Sequence, residues 1–99
     1  MANISFIARM TVKEGREEEF VGHCQALAKK VAENEPDILY YRFFKLREAR
    51  CYAVVESFVD DAAEEKHMNT DYLAQIAPPL LECLDGDPPY VREYLDPID

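Results

Sequence analysis

The first segment of the chain places its apolar side chains at every second position, and this pattern constrains the fold most. Within residues 3–12, the apolar positions are Ile4, Phe6, Ala8, Met10 and Val12. The positions between them hold Ser5, Ile7, Arg9 and Thr11. Because successive side chains of a strand point to opposite faces, this segment is predicted to be a strand with one apolar face.

The next segment has helical periodicity. In residues 16–34, apolar side chains recur at helical spacing: Phe20, Cys24, Leu27 and Val31. This spacing predicts a helix with one buried face. Residues 38–46 and 51–59 are dense in aromatic and β-branched types, so they are predicted to form two strands joined as a hairpin.

Two helical stretches are predicted after this hairpin. Asp61 with Glu64 three residues later has the form of a capping box, which starts a short helix. Thr70 is predicted to cap a second, longer stretch. Pro78 and Pro79 are expected to kink this stretch or make it restart, because proline lacks a backbone donor and clashes with the preceding turn.

The order of the elements is β-α-β-β-α-β, with a final strand predicted over residues 90–95. This order is the split βαβ pattern called ferredoxin-like. The expected fold is α+β, a single domain over residues 1–99 with a four-stranded antiparallel sheet and both helices on one face. The other face is expected to be too apolar for a monomer, which predicts a homodimer through that sheet face.

Charge and cysteine content exclude several kinds of partner. The net charge of −9 argues against nucleic acid and anionic membrane surfaces. The three cysteines, Cys24, Cys51 and Cys83, suit neither a disulfide framework nor a zinc site. With no glycine-rich phosphate loop and no paired-histidine spacing, neither a metal nor a nucleotide cofactor is expected. No signal peptide or membrane span is recognised, and a cytoplasmic location is expected.

The third strand and the helix after it hold the candidate catalytic groups. Val54, Glu56 and Phe58 share one strand face, and a carboxylate between apolar side chains is costly to bury unless it is paired or used. The spacing lets Glu56 and His67 converge on one pocket, where either side chain can transfer a proton. The alternatives are a structural carboxylate paired with an arginine (Arg9, Arg42 or Arg92) and a histidine that serves the core or the surface.

The second strand has aromatic side chains on both faces, and the sequence leaves open which face lines the pocket. One set is Tyr40, Arg42 and Phe44, and the other is Tyr41 and Phe43. Tyr72 is a candidate pocket hydroxyl, with a core position as the alternative. His23 lies one residue off the apolar stripe of its helix and is interpreted as a surface residue.

Short segments follow one another in a characteristic order along nearly the whole chain: Ile7-Ala8-Arg9, Val12-Lys13-Glu14-Gly15, Glu35-Pro36-Asp37, Val55-Glu56-Ser57-Phe58, Ala62-Ala63, Glu65-Lys66-His67 and Thr70-Asp71-Tyr72-Leu73. This ordered set is the basis of a resemblance to the antibiotic biosynthesis monooxygenase family of dimeric α/β barrels. The resemblance implies a pocket in each protomer, between the sheet and the helices.

The family includes cofactor-independent oxygenases of quinols and polyketide-like phenols, haem-degrading monooxygenases and an isomerase of a phosphorylated autoinducer sugar. Oxygenase members have Trp where this chain has Phe58, and the chain contains no Trp. Haem degraders have Asn near Ala8, and polyketide-type oxygenases have Asn at the position of Val54. The isomerase branch has a second histidine near Asp71. Haem degradation is therefore disfavoured.

The resemblance predicts a dimeric, cofactor-independent monooxygenase of a quinol or polyketide-like aromatic. His67 and Glu56 are the expected catalytic residues. The expected substrate-binding residues are Phe58, Tyr72, Arg42 and Phe6. One alternative is an isomerase of a small, sugar-like ketone. If that ketone is phosphorylated it needs a cationic pocket, for which Arg9 and Arg42 are the available cations. The other is a non-catalytic binding dimer, which a cavity filled by Phe6, Phe58 and Tyr72 would favour.

Overall fold

The computed structural model describes residues 3–98, which form three helices and five strands. In chain order the elements are β1 Ile4–Val12, α1 Glu17–Asn34, β2 Ile38–Lys45, β3 Cys51–Phe58, α2 Asp61–Met68, α3 Asp71–Glu82, β4 Leu84–Asp85 and β5 Arg92–Tyr94. The mixed α+β class and the ferredoxin-like order are confirmed.

The strands form one antiparallel sheet in the order β2-β3-β1-β4, and β5 also pairs with β1. Central β1 places Phe6 opposite Glu56 and Ala8 opposite Val54. The strand predicted over residues 90–95 is present as the shorter β5, which pairs with the middle of β1. The two-residue β4, which pairs with one end of β1, was not predicted. Between β4 and β5, Pro88 and Pro89 lack the backbone donors that a continuous ladder needs.

Helix α1 buries the predicted apolar stripe against the sheet. Phe20, Cys24, Leu27 and Val31 are all buried. The ring of Phe20 lies 5.0 Å from that of Tyr52 on β3, centroid to centroid. This contact fixes α1 on the inner face of the sheet, where the core lies.

The residue that caps helix α2 lies one position before the residue that the sequence predicted. The capping residue is Asp60, whose side chain accepts a hydrogen bond from the backbone N–H of Ala63 at 2.9 Å. Asp60 has an extended backbone, which brings its carboxylate over the free N–H groups of the first turn. The predicted capping box of Asp61 and Glu64 is therefore wrong, although α2 itself starts at Asp61.

Helix α3 runs unbroken through Pro78 and Pro79, so of the two expected outcomes the restart does not occur, and the kink stays a prediction. Proline removes a backbone donor, but its fixed φ is close to the helical value. The apolar face of α3 packs on the core through side chains that include Tyr72, Ile76 and Leu80. This packing keeps the segment helical despite the two lost donors.

The outer face of the sheet has no covering layer within residues 3–98. Exposed side chains on β2 include Leu39, Tyr40 and Phe44. On the same outer face, Ile7 pairs with Val55, and both are only half-buried. The second copy expected to cover this face stays a prediction.

The different burial of Val12 and Val91 predicts that their alanine variants differ widely in the free energy of unfolding. Val12 is fully buried, whereas Val91 is 63% exposed. Val12→Ala is expected to lower the free energy of unfolding by about 2 kcal/mol, because it removes buried methyl groups and leaves a cavity. Val91→Ala makes the same chemical change in solvent and is expected to shift it by less than about 0.5 kcal/mol. Urea unfolding at equal protein concentration measures both, and equal losses would contradict the placement of Val12.

Candidate active site

A cavity of about 190 Å³ lies between the inner face of the sheet and the helices. The side chains that matter for chemistry come from five elements. They are Phe6 from β1, Tyr41 from β2, Glu56 from β3, His67 from α2 and Arg92 from β5. Most of the remaining lining is aliphatic or aromatic. The filled cavity that would favour a purely structural module is therefore not observed.

Glu56 faces the cavity because it shares the inner face of β3 with Val54 and Phe58. The residue is only 7% exposed. Burial raises the pKa of its carboxyl to about 8, nearby Glu64 and Glu35 act in the same direction, and Arg92 opposes them. At neutral pH, Glu56 is therefore largely a neutral acid that can donate a proton.

His67 is held by a buried carboxylate that comes from the end of α1. Its Nδ1 lies 3.0 Å from Oε2 of Glu35, and both side chains are almost fully buried. The hydroxyl of Tyr72 donates to the same oxygen. A carboxylate only accepts hydrogen bonds, so Nδ1 carries the proton, and in the neutral ring Nε2 carries the lone pair.

Nε2 of His67 lies on the side of Glu56. The distance from Nε2 to Oε1 of Glu56 is 3.8 Å, too long for a direct hydrogen bond. Within residues 3–98, every fully enclosed side-chain nitrogen or oxygen has a hydrogen-bond partner. Because both groups line the cavity, a hydroxyl of a bound molecule can contact both from one side of the line that joins them.

Aromatic rings fix the plane of the imidazole. The ring of Tyr41 meets it edge-on at 5.2 Å, and Phe58 packs against it at 5.7 Å, both between centroids. Burial also raises the pKa of the Tyr41 phenol, with smaller contributions from Glu56 and other neighbours. Tyr41 is thus a neutral wall that keeps His67 in one orientation.

The sequence model of antibiotic biosynthesis monooxygenases matches residues 3–78. This chain belongs to that family. A Caulobacter crescentus protein assigned to the family is 30% identical, has a TM-score of 0.89, and is matched over 98% of this chain and 91% of its own. A conserved Methanosarcina mazei protein is 24% identical, with a TM-score of 0.84 and coverages of 96% and 92%. No curated protein matches.

Among the predicted site residues of this family member, Phe6, Glu56 and His67 all line the cavity. Phe58 packs behind His67, at the position where the resemblance expects Trp. Tyr72 directs its hydroxyl at Glu35, so it supports His67 through that carboxylate. Their roles in binding or catalysis stay predictions.

The predicted placement of Arg42 at the pocket is wrong. Tyr41 and Phe43 line the cavity, whereas Arg42 alternates with them and points to the outer face of the sheet. Its guanidinium lies 5.8 Å from the ring centroid of Phe44. Arg9 also lies on the outer face, in an ion pair with Glu93 at 3.0 Å. Neither arginine that the isomerase alternative needed is therefore at the cavity.

Two site residues were missed in the sequence. Glu35 precedes Pro36, where the sequence predicts the end of a helix. It also lies four residues after Val31, the last buried apolar residue of α1, and this helical spacing is the signal for a buried carboxylate. Arg92 was considered only as a partner for Glu56. Its register opposite Ala8 places it on the inner face of the sheet, at the cavity.

One possible metal-ligand group in residues 3–98 lies away from the cavity and consists of Glu19, His23 and Cys83. His23, predicted at the surface, is partly buried beside Glu19. Both Glu19 oxygens accept hydrogen bonds from Arg16, at 2.9 and 3.1 Å. Burial raises the pKa of the Cys83 thiol. An engaged carboxylate and a protonated thiol disfavour metal binding here.

The buried acid predicts an unusual pH dependence of stability. The Glu56 carboxyl has a pKa of about 8 in the folded protein, against its ordinary value of 4.5. Between these values the folded chain holds one proton more, so its stability falls as pH rises, by up to about 1.4 kcal/mol per pH unit. Glu56→Gln is expected to flatten this slope in urea unfolding measured across that pH range.

The control for this prediction is Glu33→Gln on the exposed side of α1. It makes the same change of a carboxyl to an amide and should leave the slope unchanged. Parallel pH curves for Glu56→Gln and the unaltered protein would show that Glu56 ionises normally in the folded state.

Proposed function

We propose that this protein is a cofactor-independent monooxygenase of a planar aromatic substrate, such as a quinol or a polyketide-like phenol. The observation that supports this most is the gap of 3.8 Å between His67 Nε2 and the Glu56 carboxyl. This gap opens into an otherwise largely apolar cavity of about 190 Å³. A phenolic hydroxyl that lies in the cavity beside this pair can contact a base, Nε2 of His67, and an acid, the Glu56 carboxyl.

The first step is removal of a phenolic proton by Nε2 of neutral His67. The resulting imidazolium is stabilised by Glu35, which lies 3.0 Å from Nδ1. The buried Glu56 acid can donate a hydrogen bond to the phenolate oxygen. The apolar walls exclude water, which strengthens these interactions and holds the substrate in place.

The substrate supplies the electrons. The phenolate of a quinol passes one electron to O₂, and the resulting superoxide and semiquinone combine to form a carbon–oxygen bond. Loss of the ring proton then breaks the oxygen–oxygen bond and releases water. One oxygen atom stays on the ring and the other leaves as water, so quinol and O₂ give a hydroxyquinone and water. Because the quinol is the reductant, we expect no cofactor.

A second copy of the chain is the proposed cover for the outer sheet face. Tyr40 and Phe44 are 42% and 37% exposed there, beside half-buried Ile7 and Val55. The same apolar face on two copies can form a self-complementary interface. No helix within residues 3–98 has the length and apolarity that a membrane crossing requires. A cytoplasmic location remains a proposal.

Oxygen uptake tests the proposed function. Chelator-treated protein is mixed with a panel of quinols and anthrones, and uptake is compared with the rate in buffer alone. Uptake that rises in proportion to protein, with one O₂ consumed per substrate, supports the proposal. Uptake at the buffer rate by folded protein, across the panel, would contradict it.

A further inference from the structure

Arg92 is the one arginine or lysine among the described side chains that line the cavity. It lies on β5 opposite Ala8, so the sheet register sends its side chain to the same face as Phe6 and Glu56. Its guanidinium carbon lies 5.0 Å from the ring centroid of Phe6, a cation–π contact. The contact with Phe6, which also lines the cavity, therefore holds the guanidinium of Arg92 there.

The guanidinium makes little use of its hydrogen-bonding capacity within the protein. Nη2 donates to the sulfur of Met68 at 3.0 Å, and a thioether is a weak acceptor. Nη1 lies 3.9 Å from Oε2 of Glu64, beyond hydrogen-bond distance. That oxygen already accepts the hydroxyl of Tyr94 at 2.7 Å. Arginine has five N–H donors in a planar fork, so several remain for a ligand.

The groups around Arg92 leave a net preference for an anion at neutral pH. Glu64 offsets part of the positive charge, but it contacts Arg92 only at 3.9 Å. Glu56 is the one carboxyl among the described cavity-lining residues, and its raised pKa keeps it largely uncharged. The cavity therefore presents a guanidinium beside a carboxyl that is largely uncharged.

We infer that Arg92 recognises an anionic oxygen group, above all a carboxylate, on the planar aromatic substrate of this cavity. The guanidinium fork fits a carboxylate through two parallel hydrogen bonds, and Phe6 and Tyr41 supply apolar contact for the ring. The inference deepens the proposed function, because it takes the cavity as the substrate site and adds an acidic group to the substrate. Arg92 selects and positions that substrate, whereas His67 and Glu56 act on its hydroxyl.

Binding of two unreactive probes tests the inference without any oxygen chemistry. The carboxylate 2-naphthoate and its uncharged counterpart 2-naphthamide are titrated into the full chain by calorimetry under argon at neutral pH. The unaltered protein is expected to bind naphthoate at least about tenfold more tightly, since charge-assisted hydrogen bonds contribute more than neutral ones. Arg92→Gln is expected to bring the two affinities within about twofold.

Arg47→Gln, in the exposed hairpin connection, is the control and should keep the preference. Arg92→Lys keeps the charge without the fork and should retain part of it, which covers the case of a poorly folded Arg92→Gln. Equal binding of the two probes by the unaltered protein would overturn the inference. A preference that survives in Arg92→Gln, or no binding of either probe at millimolar concentration, would also overturn it.

The two proposals fail in different ways. If naphthoate is preferred through Arg92 but oxygen uptake stays at the buffer rate, the anion site is supported and the proposed oxygenase function is contradicted. Oxygen uptake whose KM is unchanged in Arg92→Gln for every active acidic phenol would keep the oxygenase and remove the role of Arg92.

Discussion

Replacing His67 by alanine is expected to lower kcat/KM for oxygen uptake by about a hundredfold to ten-thousandfold. That range is the usual contribution of a positioned general base. The loss should fall mainly on kcat, because the substitution leaves the other cavity walls, Phe6, Tyr41 and Arg92, in place. Steady-state oxygen consumption with the best substrate of the quinol panel measures this effect.

His23→Ala is the matched control, since the only other histidine lies on α1 beside Glu19, away from the cavity. It should retain kcat within about twofold, as expected for a residue outside the site. A His67→Ala protein that is folded and keeps most of its activity would remove His67 from the mechanism and leave Glu56 as the remaining acid or base.

Replacing Glu35 by alanine is expected to lower the free energy of unfolding by about 2–5 kcal/mol. The change leaves the Tyr72 hydroxyl and Nδ1 of His67 without their shared acceptor. Each buried donor that loses its partner costs about 1–3 kcal/mol. Glu33→Ala, two residues earlier on the exposed side of α1, should shift stability by less than about 0.5 kcal/mol.

Glu35→Gln separates packing from proton chemistry. The amide fills the same space and can accept from one of the two donors, so the stability loss should be smaller than for alanine. Because an amide stabilises an imidazolium less than a carboxylate does, kcat is expected to fall while the fold is kept. Equal stability of Glu35→Ala and Glu33→Ala in urea unfolding would contradict the buried contacts of Glu35.

Local periodicity was sufficient to predict most of the fold. The alternation in β1 and the stripe of α1 each mark one buried face, and the order of the segments gave the topology. The errors arose where tertiary contacts outweigh local preference. Packing of Ile76 and Leu80 keeps α3 helical through two prolines, and pairing with β1 makes a short strand of residues 84–85, where none was predicted.

Two residues of the candidate site, Glu56 and His67, could be predicted from the sequence for a similar reason. Glu56 and His67 lie on regular elements whose faces can be inferred from spacing. Arg42 was misplaced because the apolar content of β2 is similar on both faces, so alternation could not select the inner one. Glu35 follows the end of α1 and binds His67 from behind the cavity, and Arg92 begins β5, where its register opposite Ala8 brings it to the cavity.

The most direct test of the proposed chemistry is the fate of labelled oxygen. Chelator-treated protein is incubated with its best phenolic substrate under ¹⁸O₂, and the product is examined by mass spectrometry. The proposed mechanism predicts one labelled atom in the hydroxyquinone, with formation lost in His67→Ala and retained in His23→Ala. Product without label, or labelled product formed equally well by His67→Ala, would contradict a monooxygenase acting through this cavity.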